Sequence, residues 1–200
     1  MADNLPKQGG KPQGLIGNML GRVMNYAHTS RYKNYFNKRA IPPGSVVLDI
    51  GCGGGKFVKF IAGKINGGKA YGLDHSEAMI KLASRVNQEE INNGQVEIIQ
   101  GSVAALPFDE RKFDFITAFE TIQYWPDLPD SLREVFRVIK SPGKFIIINQ
   151  YPHPGTKWYD RVKIKTHQQY SDLLKRAGFK TAATDLSTKP GWIIITAEKE

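Results

Sequence analysis

The sequence predicts an α/β fold, and three of its features carry that prediction. Residues 46–50 are apolar and rich in β-branched side chains except for Asp49, and they lead through a glycine-rich turn into a segment with apolar residues at helical spacing. A second short apolar run ends in an acidic residue, Asp74. Short apolar runs and amphipathic segments then alternate along the chain. This order of elements is typical of buried strands joined by crossover helices.

The predicted elements follow one another closely. Strands are predicted over residues 46–50, 69–73, 96–99, 113–119 and 144–149. After the glycine-rich turn, helices are predicted with a packing face of Phe57, Phe60 and Ile61, from the N-cap Ser76 to about Ile91, and over residues 128–139 and 166–177. Ser141-Pro142-Gly143 is predicted to turn the chain into the fifth strand. Residues 179–186 and 192–197 are predicted to close the sheet as an antiparallel hairpin.

The two ends of the chain differ from its middle. Residues 1–14 are rich in Gly, Pro, Gln and Lys and are predicted to be a disordered leader. Residues 15–200 are predicted to form a single domain that begins with two short helical segments over residues 15–44. Residues 150–165 carry aromatic and histidine side chains among Pro, Gly and basic residues, which predicts a lid or substrate wall: Tyr151, His153, Trp158 and Tyr159.

Composition excludes several classes of protein. Hydrophobic residues make up 40% of the chain and charged residues 24%, which is ordinary for a globular domain. No apolar run approaches the roughly 20 residues of a membrane span, and the N-terminus has no signal-peptide core. The lone cysteine, Cys52, excludes internal disulfides, and the four histidines show no metal-ligand spacing. We therefore expect a cytoplasmic protein without a metal site.

The net charge of +9 lies on the two flanks of the sequence. Residues 1–44 hold seven basic residues and one acidic residue, residues 45–150 hold twelve and thirteen, and residues 151–200 hold nine and five. Two interpretations of these basic flanks stay open. In the first, they attract an anionic substrate or partner. In the second, they are a solvated basic surface with a basic tail.

The end of the first predicted strand and the turn after it read Asp49-Ile50-Gly51-Cys52-Gly53-Gly54-Gly55-Lys56. It fails the P-loop pattern, because Phe57 stands where Ser or Thr is needed, and it fails the dinucleotide pattern, because Lys56 replaces the third glycine. A pyrophosphate binds to helix N–H groups, and an aspartate at the mouth of the turn would repel it. The carboxylate of Asp49 instead favours a ligand with a positively charged group.

A second carboxylate narrows the choice of ligand. Asp74 lies 25 residues after Asp49, at the end of the second predicted strand. In βαβ units, an acid about 20 residues beyond the glycine turn accepts hydrogen bonds from ribose hydroxyls. The two acids together indicate a ligand with a ribose at one end and a positive charge at the other. S-adenosylmethionine has both.

Three motifs in order resemble class I S-adenosylmethionine-dependent methyltransferases, and most closely the small-molecule "type 11" group. They lie at residues 47–55 (VLDIGCGGG), 72–76 (GLDHS) and 106–114 (LPFDERKFD). The resemblance covers roughly residues 24–197. It implies a doubly wound, Rossmann-like, mostly parallel sheet of seven strands with a terminal antiparallel hairpin and helices on both faces. It also implies in-line methyl transfer from S-adenosylmethionine to a small-molecule acceptor.

The resemblance also implies cofactor contacts. Residues 15–44 would form a helical cap over the cofactor, with Asn25 and His28 either against the ligand or capping a helix junction. Ser102 stands where relatives often carry Asp, so its bond to the adenine would be weaker. The predicted cofactor-binding residues are Asp49, Gly51, Cys52, Gly53, Gly55, Asp74, His75, Ser102, Val103, Phe119, Glu120, Asn25 and His28.

The sequence leaves the methyl acceptor open. A general base is needed only for an acceptor that must lose a proton, and the candidates are His28, Glu120 and His153. Tyr124 and Trp125 follow the fourth strand, where they either line a substrate pocket or pack. No Asn/Asp-Pro-Pro-Tyr motif is present, which argues against methylation of DNA bases or glutamine. The alternatives are a cofactor-binding sensor or scaffold, and RNA methylation, which ranks lower because no RNA-binding module is recognisable.

Overall fold

The computed structural model describes residues 35–186 and 191–200 of the 200-residue chain. Its strands are β1 (Val46–Ile50), β2 (Lys69–Asp74), β3 (Val96–Gln100), β4 (Phe113–Phe119), β5 (Ile139–Gln150), β6 (Thr181–Asp185) and β7 (Trp192–Lys199). Its helices are α1 (Lys56–Ala62), α2 (Glu77–Val86), α3 (Gln88–Asn92), α4 (Leu128–Val138), α5 (Lys157–Arg161) and α6 (His167–Arg176), with a 3₁₀ turn at Ile122–Tyr124. The predicted leader and the residues of the predicted helical cap before Tyr35 lie outside the described residues.

The strands form a seven-stranded sheet in the order β3-β2-β1-β4-β5-β7-β6, with helices around it. β1 pairs in parallel with β2, β2 with β3, and β4 with β5. The last strand, β7, runs antiparallel to both β5 and β6. The predicted mostly parallel sheet with a terminal antiparallel hairpin is confirmed.

The chain divides into two compact units, with the boundary between Ser102 and Val103. The single domain over residues 15–200 stays a prediction. None of the helices in the described parts of the chain has both the length and the apolar character needed to cross a bilayer.

The core of the first unit is built on β1 and β2, which are buried almost throughout. Parallel strands with both faces covered need such continuous apolar runs. The apolar runs in the sequence therefore predicted both strands. Helix α1 buries Phe57, Val58 and Ile61, close to the packing face that its spacing predicted. These elements place the glycine-rich turn and Asp74 at the carboxyl ends of neighbouring strands.

The core of the second unit contains a cluster of aromatic side chains. Trp125 stacks on Phe145 with ring centroids 6.2 Å apart, and Phe145 in turn lies 6.0 Å from Phe179. Helix α6 begins with a capping box, in which Thr166 and Gln169 satisfy each other's backbone N–H groups. The contact between Phe145 and Phe179 links β5 to the segment that leads into β6.

Three predicted elements differ from the structure. The helix predicted from Ser76 to Ile91 is two helices, because Asn87 leaves the helical conformation and its side chain bonds to backbone carbonyls. Strand β5 begins at Ile139, inside the predicted helix and before the predicted turn, because its early residues also find strand partners. Residues 150–165, the predicted lid or substrate wall, are not irregular throughout, because they contain α5, which Thr156 caps by accepting from the Tyr159 N–H.

Candidate functional site

The glycine-rich turn holds three glycines in the left-handed region, with φ of 75° at Gly51, 51° at Gly53 and 77° at Gly55. Side chains with a Cβ rarely adopt this conformation. The N–H groups of Gly51 and Cys52 both donate to the Leu73 carbonyl, at 2.7 and 3.0 Å, and the Gly55 N–H donates to the Cys52 carbonyl at 3.0 Å. The turn is therefore tied to the end of β2.

The Asp74 carboxylate is held by two backbone N–H groups. Gly53 donates to Oδ2 at 2.9 Å, and Ser76 donates to Oδ1 at 2.9 Å. Asp74 is only 7% exposed, the Ser76 bond is buried and the Gly53 bond is partly buried. Charge-assisted bonds of this kind are stronger than neutral ones. They fix the direction of the carboxylate beside the glycine turn.

These bonds decide which ligand the turn suits. The N–H groups of Gly51, Cys52, Gly53 and Gly55 all donate to protein oxygens, so they are not the open cradle of amides that a phosphate needs. Asp49, at the end of β1, adds a second buried carboxylate, with 4% exposure. The turn therefore suits a ligand that brings hydroxyl donors or positive charge.

The thiol of Cys52 is affected by the same environment. Burial raises its pKa well above the usual value, and the nearby carboxylates of Asp74 and Asp49 raise the pKa further. A thiol with a raised pKa stays protonated and is a poor nucleophile. Cys52 therefore contributes shape and packing to the turn and no reactive thiolate.

His75 and Ser102 lie near Asp74 in the first unit. His75 Nδ1 lies 3.6 Å from Asp74 Oδ1, and the His75 side chain is about half exposed. The Gly101 N–H donates to the Asp74 carbonyl at 3.0 Å, which brings the segment before Ser102 to the end of β2. Ser102 itself is exposed. Both residues lie near the end of β2, and their roles toward a ligand stay predictions.

Asn87 is a buried polar residue of this site that sequence reasoning missed. It is 0% exposed, and its Nδ2 group donates to the Gly55 carbonyl at 3.0 Å across 32 residues of sequence. An Asn between two helical segments signals only a local helix end. No pattern in the sequence links it to the glycine turn.

Three further predicted residues belong to the second unit. Val103 is buried, and Phe119 and Glu120 are half-buried at the carboxyl end of β4. Glu120 has a φ of 52°, which is uncommon for a residue with a side chain. Its N–H donates to the Ile148 carbonyl at 2.9 Å, and its carbonyl accepts from the Gln123 amide. The backbone of Glu120 is thus held from two sides.

The two aromatic residues after β4 have different surroundings. Trp125 is 4% exposed and packs on Phe145, so it belongs to the core of the second unit. Tyr124 is 45% exposed. Of the two interpretations left open by the sequence, packing therefore holds for Trp125.

The remaining predicted residues are His153, in the second unit, and Asn25 and His28. His153 is exposed and lies against the Tyr151 ring, with centroids 5.8 Å apart. Asn25 and His28 lie outside the described residues. Among residues 35–186 and 191–200, no cluster of His, Cys, Asp or Glu could hold a metal ion.

The chain is similar to known proteins in sequence and in fold. A family model described as a methyltransferase domain matches residues 48–147. The demethylmenaquinone methyltransferase of Bacillus mycoides (strain KBAB4) is 36% identical over 109 residues, covering 54% of this chain and 46% of that protein. The demethylmenaquinone methyltransferase of Lactococcus lactis is 30% identical over 175 residues, covering 78% of this chain and 69% of that protein.

A solved structure shows the same fold. The SAM-dependent methyltransferase from Aquifex aeolicus superposes with a TM-score of 0.70 at 19% identity, covering 84% of this chain and 89% of that one. The match to the Bacillus mycoides protein spans about half of that relative's length.

Proposed function

The chain belongs to the methyltransferase-domain family, and from this premise we propose that it binds S-adenosylmethionine and transfers its methyl group to a small-molecule acceptor. When bound, this cofactor supplies the electrophilic methyl carbon. The task of the protein is to hold the cofactor and the acceptor in line. Such alignment can account for ~7–11 kcal/mol of a reaction barrier.

The position of Asp74 carries the proposal. Each oxygen of its carboxylate accepts one backbone N–H, and a carboxylate oxygen can accept two hydrogen bonds. Asp74 can therefore accept from ribose hydroxyls without giving up the bonds that hold it. At Gly53, the space that a Cβ would occupy has no atom within 4 Å, so a ligand can approach the backbone closely.

The charges of the turn support the same ligand. Asp49 and Asp74 are both nearly buried, and their joint field contributes to the raised pKa of Cys52. A negative potential in a partly desolvated site attracts a cation more strongly than it would in water. This favours a ligand whose reacting group is positively charged, as a sulfonium is.

Calorimetric titration tests cofactor binding directly. We expect the purified protein to bind S-adenosylmethionine and S-adenosylhomocysteine and to show no binding of NAD. NAD carries the pyrophosphate that the satisfied N–H groups of the turn cannot hold. Binding of NAD without either S-adenosyl compound would refute the proposal.

We propose a small-molecule acceptor because the two relatives described above are named for one, demethylmenaquinone. Transfer of a radiolabelled methyl group should be measured with reduced demethylmenaquinone and, in parallel, with total RNA. Label in the quinone extract supports the proposal. Label in RNA alone, falling steeply with salt, would support RNA methylation instead, and cofactor binding with no transfer to any tested acceptor would favour a sensor.

A further inference from the structure

The side chain of Asn87 connects two elements that the chain forms separately. Asn87 lies between α2 and α3, and its Nδ2 group donates to the Gly55 carbonyl at 3.0 Å and to the Ala83 carbonyl at 2.8 Å. Gly55 is the last residue of the glycine turn and the N-cap of α1. Asn87 therefore attaches the end of the turn to the helix that follows β2.

Neither carbonyl needs this side chain to be hydrogen-bonded. The Gly55 carbonyl already accepts from the Lys59 N–H at 3.1 Å, and the Ala83 carbonyl accepts from the backbone N–H of Asn87 at 3.0 Å. The Asn87 Oδ1 atom is buried and has no hydrogen-bond partner among the described residues. A buried acceptor without a partner is costly. An apolar side chain of similar size would avoid that cost, so stability alone does not explain an asparagine here.

Gly55 is tightly packed at the point where the Asn87 amide bonds to it. Its φ is 77°, and a Cβ built on it would lie 2.6 Å from Asn87 Nδ2 and 2.9 Å from the Ala83 Cα. The backbone of α2 and the amide of Asn87 thus approach the turn as closely as a glycine permits. A small displacement of Asn87 would be transmitted to the turn.

The Gly51 and Cys52 N–H groups hold the first part of the turn on the Leu73 carbonyl, and two further hydrogen bonds hold its later part. Gly53 is tied to the Asp74 carboxylate at one point, and Gly55 is tied to Asn87 at another. Helix α2 begins three residues after Asp74 and ends next to Asn87. Both hydrogen bonds therefore connect the turn to the continuous segment from Asp74 to Asn87. We propose that Asn87 is a positioning residue for cofactor binding. Its side chain keeps the glycine turn at a fixed position relative to the carboxylate of Asp74. This inference rests on the proposed binding of S-adenosylmethionine.

The test compares cofactor affinity with stability in three variants. Asn87→Leu keeps the size of the side chain and removes both side-chain bonds. In Asn87→Ser, a hydroxyl can still bond the carbonyl four residues earlier but is too short to reach Gly55. The control is Gln95→Leu, because the Gln95 amide donates to the Ala62 carbonyl at 2.7 Å, at the other end of α1. Each protein is titrated with S-adenosylhomocysteine and unfolded in urea.

We expect both Asn87 variants to raise the dissociation constant for S-adenosylhomocysteine about 3- to 10-fold. This factor corresponds to the net free energy of one hydrogen bond. The urea midpoint of Asn87→Leu should stay close to that of the wild type. Gln95→Leu should change the dissociation constant less than about twofold, because its bond lies away from the turn. Should Asn87→Leu fail to fold, Asn87→Ser carries the comparison alone.

Each other outcome overturns the inference. Wild-type affinity in a folded Asn87 variant limits Asn87 to a structural role and leaves the proposed function intact. Equal weakening in the Gln95 variant attributes the loss to general loosening of α1. A wild-type protein that binds neither S-adenosyl compound removes the proposed function and this inference together.

Discussion

Replacing Gly55 by alanine should cost more stability than replacing Gly44, a glycine of nearly the same φ. Gly55 and Gly44 have nearly the same φ, 77° and 76°, so both substitutions force alanine into the left-handed region. The surroundings differ. A Cβ at Gly44 would have no atom within 4 Å, whereas a Cβ at Gly55 would lie 2.9 Å from both the Cα and the Cβ of Ala83. Gly44→Ala is therefore a matched control for backbone strain.

The expected magnitudes follow from two contributions. The left-handed conformation costs alanine about 1–2 kcal/mol, and this is the whole expected cost of Gly44→Ala. At Gly55 the overlap with Ala83 involves helix backbone, which cannot rotate away, and overpacking of this kind costs about 1–3 kcal/mol more. Gly55→Ala should therefore lose about 2–5 kcal/mol of unfolding free energy.

A third variant separates stability from ligand binding. Gly53 has a φ of 51° and open space around its missing Cβ, so Gly53→Ala should lose no more stability than Gly44→Ala. If that space admits the cofactor, Gly53→Ala should still weaken S-adenosylmethionine binding, and Gly44→Ala should not. Urea unfolding and calorimetry measure the two quantities. Equal unfolding free energies for the Gly55 and Gly44 variants would refute the packing argument.

Three further predictions concern single side chains. Asp74→Ala should weaken S-adenosylmethionine binding by about 1.5–3 kcal/mol, the worth of hydrogen bonds to a charged group, and unchanged calorimetric affinity in the folded variant would contradict the ribose assignment. Burial raises the pKa of Tyr170 to about 12. The unfolded chain releases this proton near pH 10 and the folded protein keeps it, so stability should fall by about 2 kcal/mol between pH 10 and 12. In urea unfolding at both pH values, Tyr170→Phe should lose correspondingly less, and an equal loss would contradict the raised pKa. Trp125→Ala should lower the unfolding free energy by about 3–5 kcal/mol, because Trp125 is buried against Phe145. Tyr124→Ala should lower it by about 0.5 kcal/mol or less, because Tyr124 is exposed. Similar losses for the two variants in urea unfolding would contradict this difference in packing.

Much of the candidate site could be predicted because its signals are local in sequence. The apolar run of β1, the glycines after it and the acid that ends β2 each occupy a few consecutive residues. Their order places them at one edge of a parallel sheet, since parallel strands end on the same side. The structure puts Asp49 and Asp74 at the ends of neighbouring strands, as that reasoning requires.

Other parts of the site depend on contacts between distant residues. The sequence suggested that Asp74 faces a ligand, but it could not show that Gly53 and Ser76 hold the carboxylate in place. It also predicted an unbroken helix through Asn87, because the apolar spacing continues on both sides of that residue. Apolar periodicity reports which face is buried. It contains no information about a single buried amide.

The sequence by itself therefore determined the family of folds, the glycine turn and the two acids beside it. These follow from backbone preferences and from apolar patterning, which act over a few residues at a time. The tertiary structure decided where β5 begins, that Trp125 packs in the core, and that Asn87 is tied to Gly55. Those outcomes depend on which side chains meet when separate elements pack, and short-range patterns do not specify such meetings.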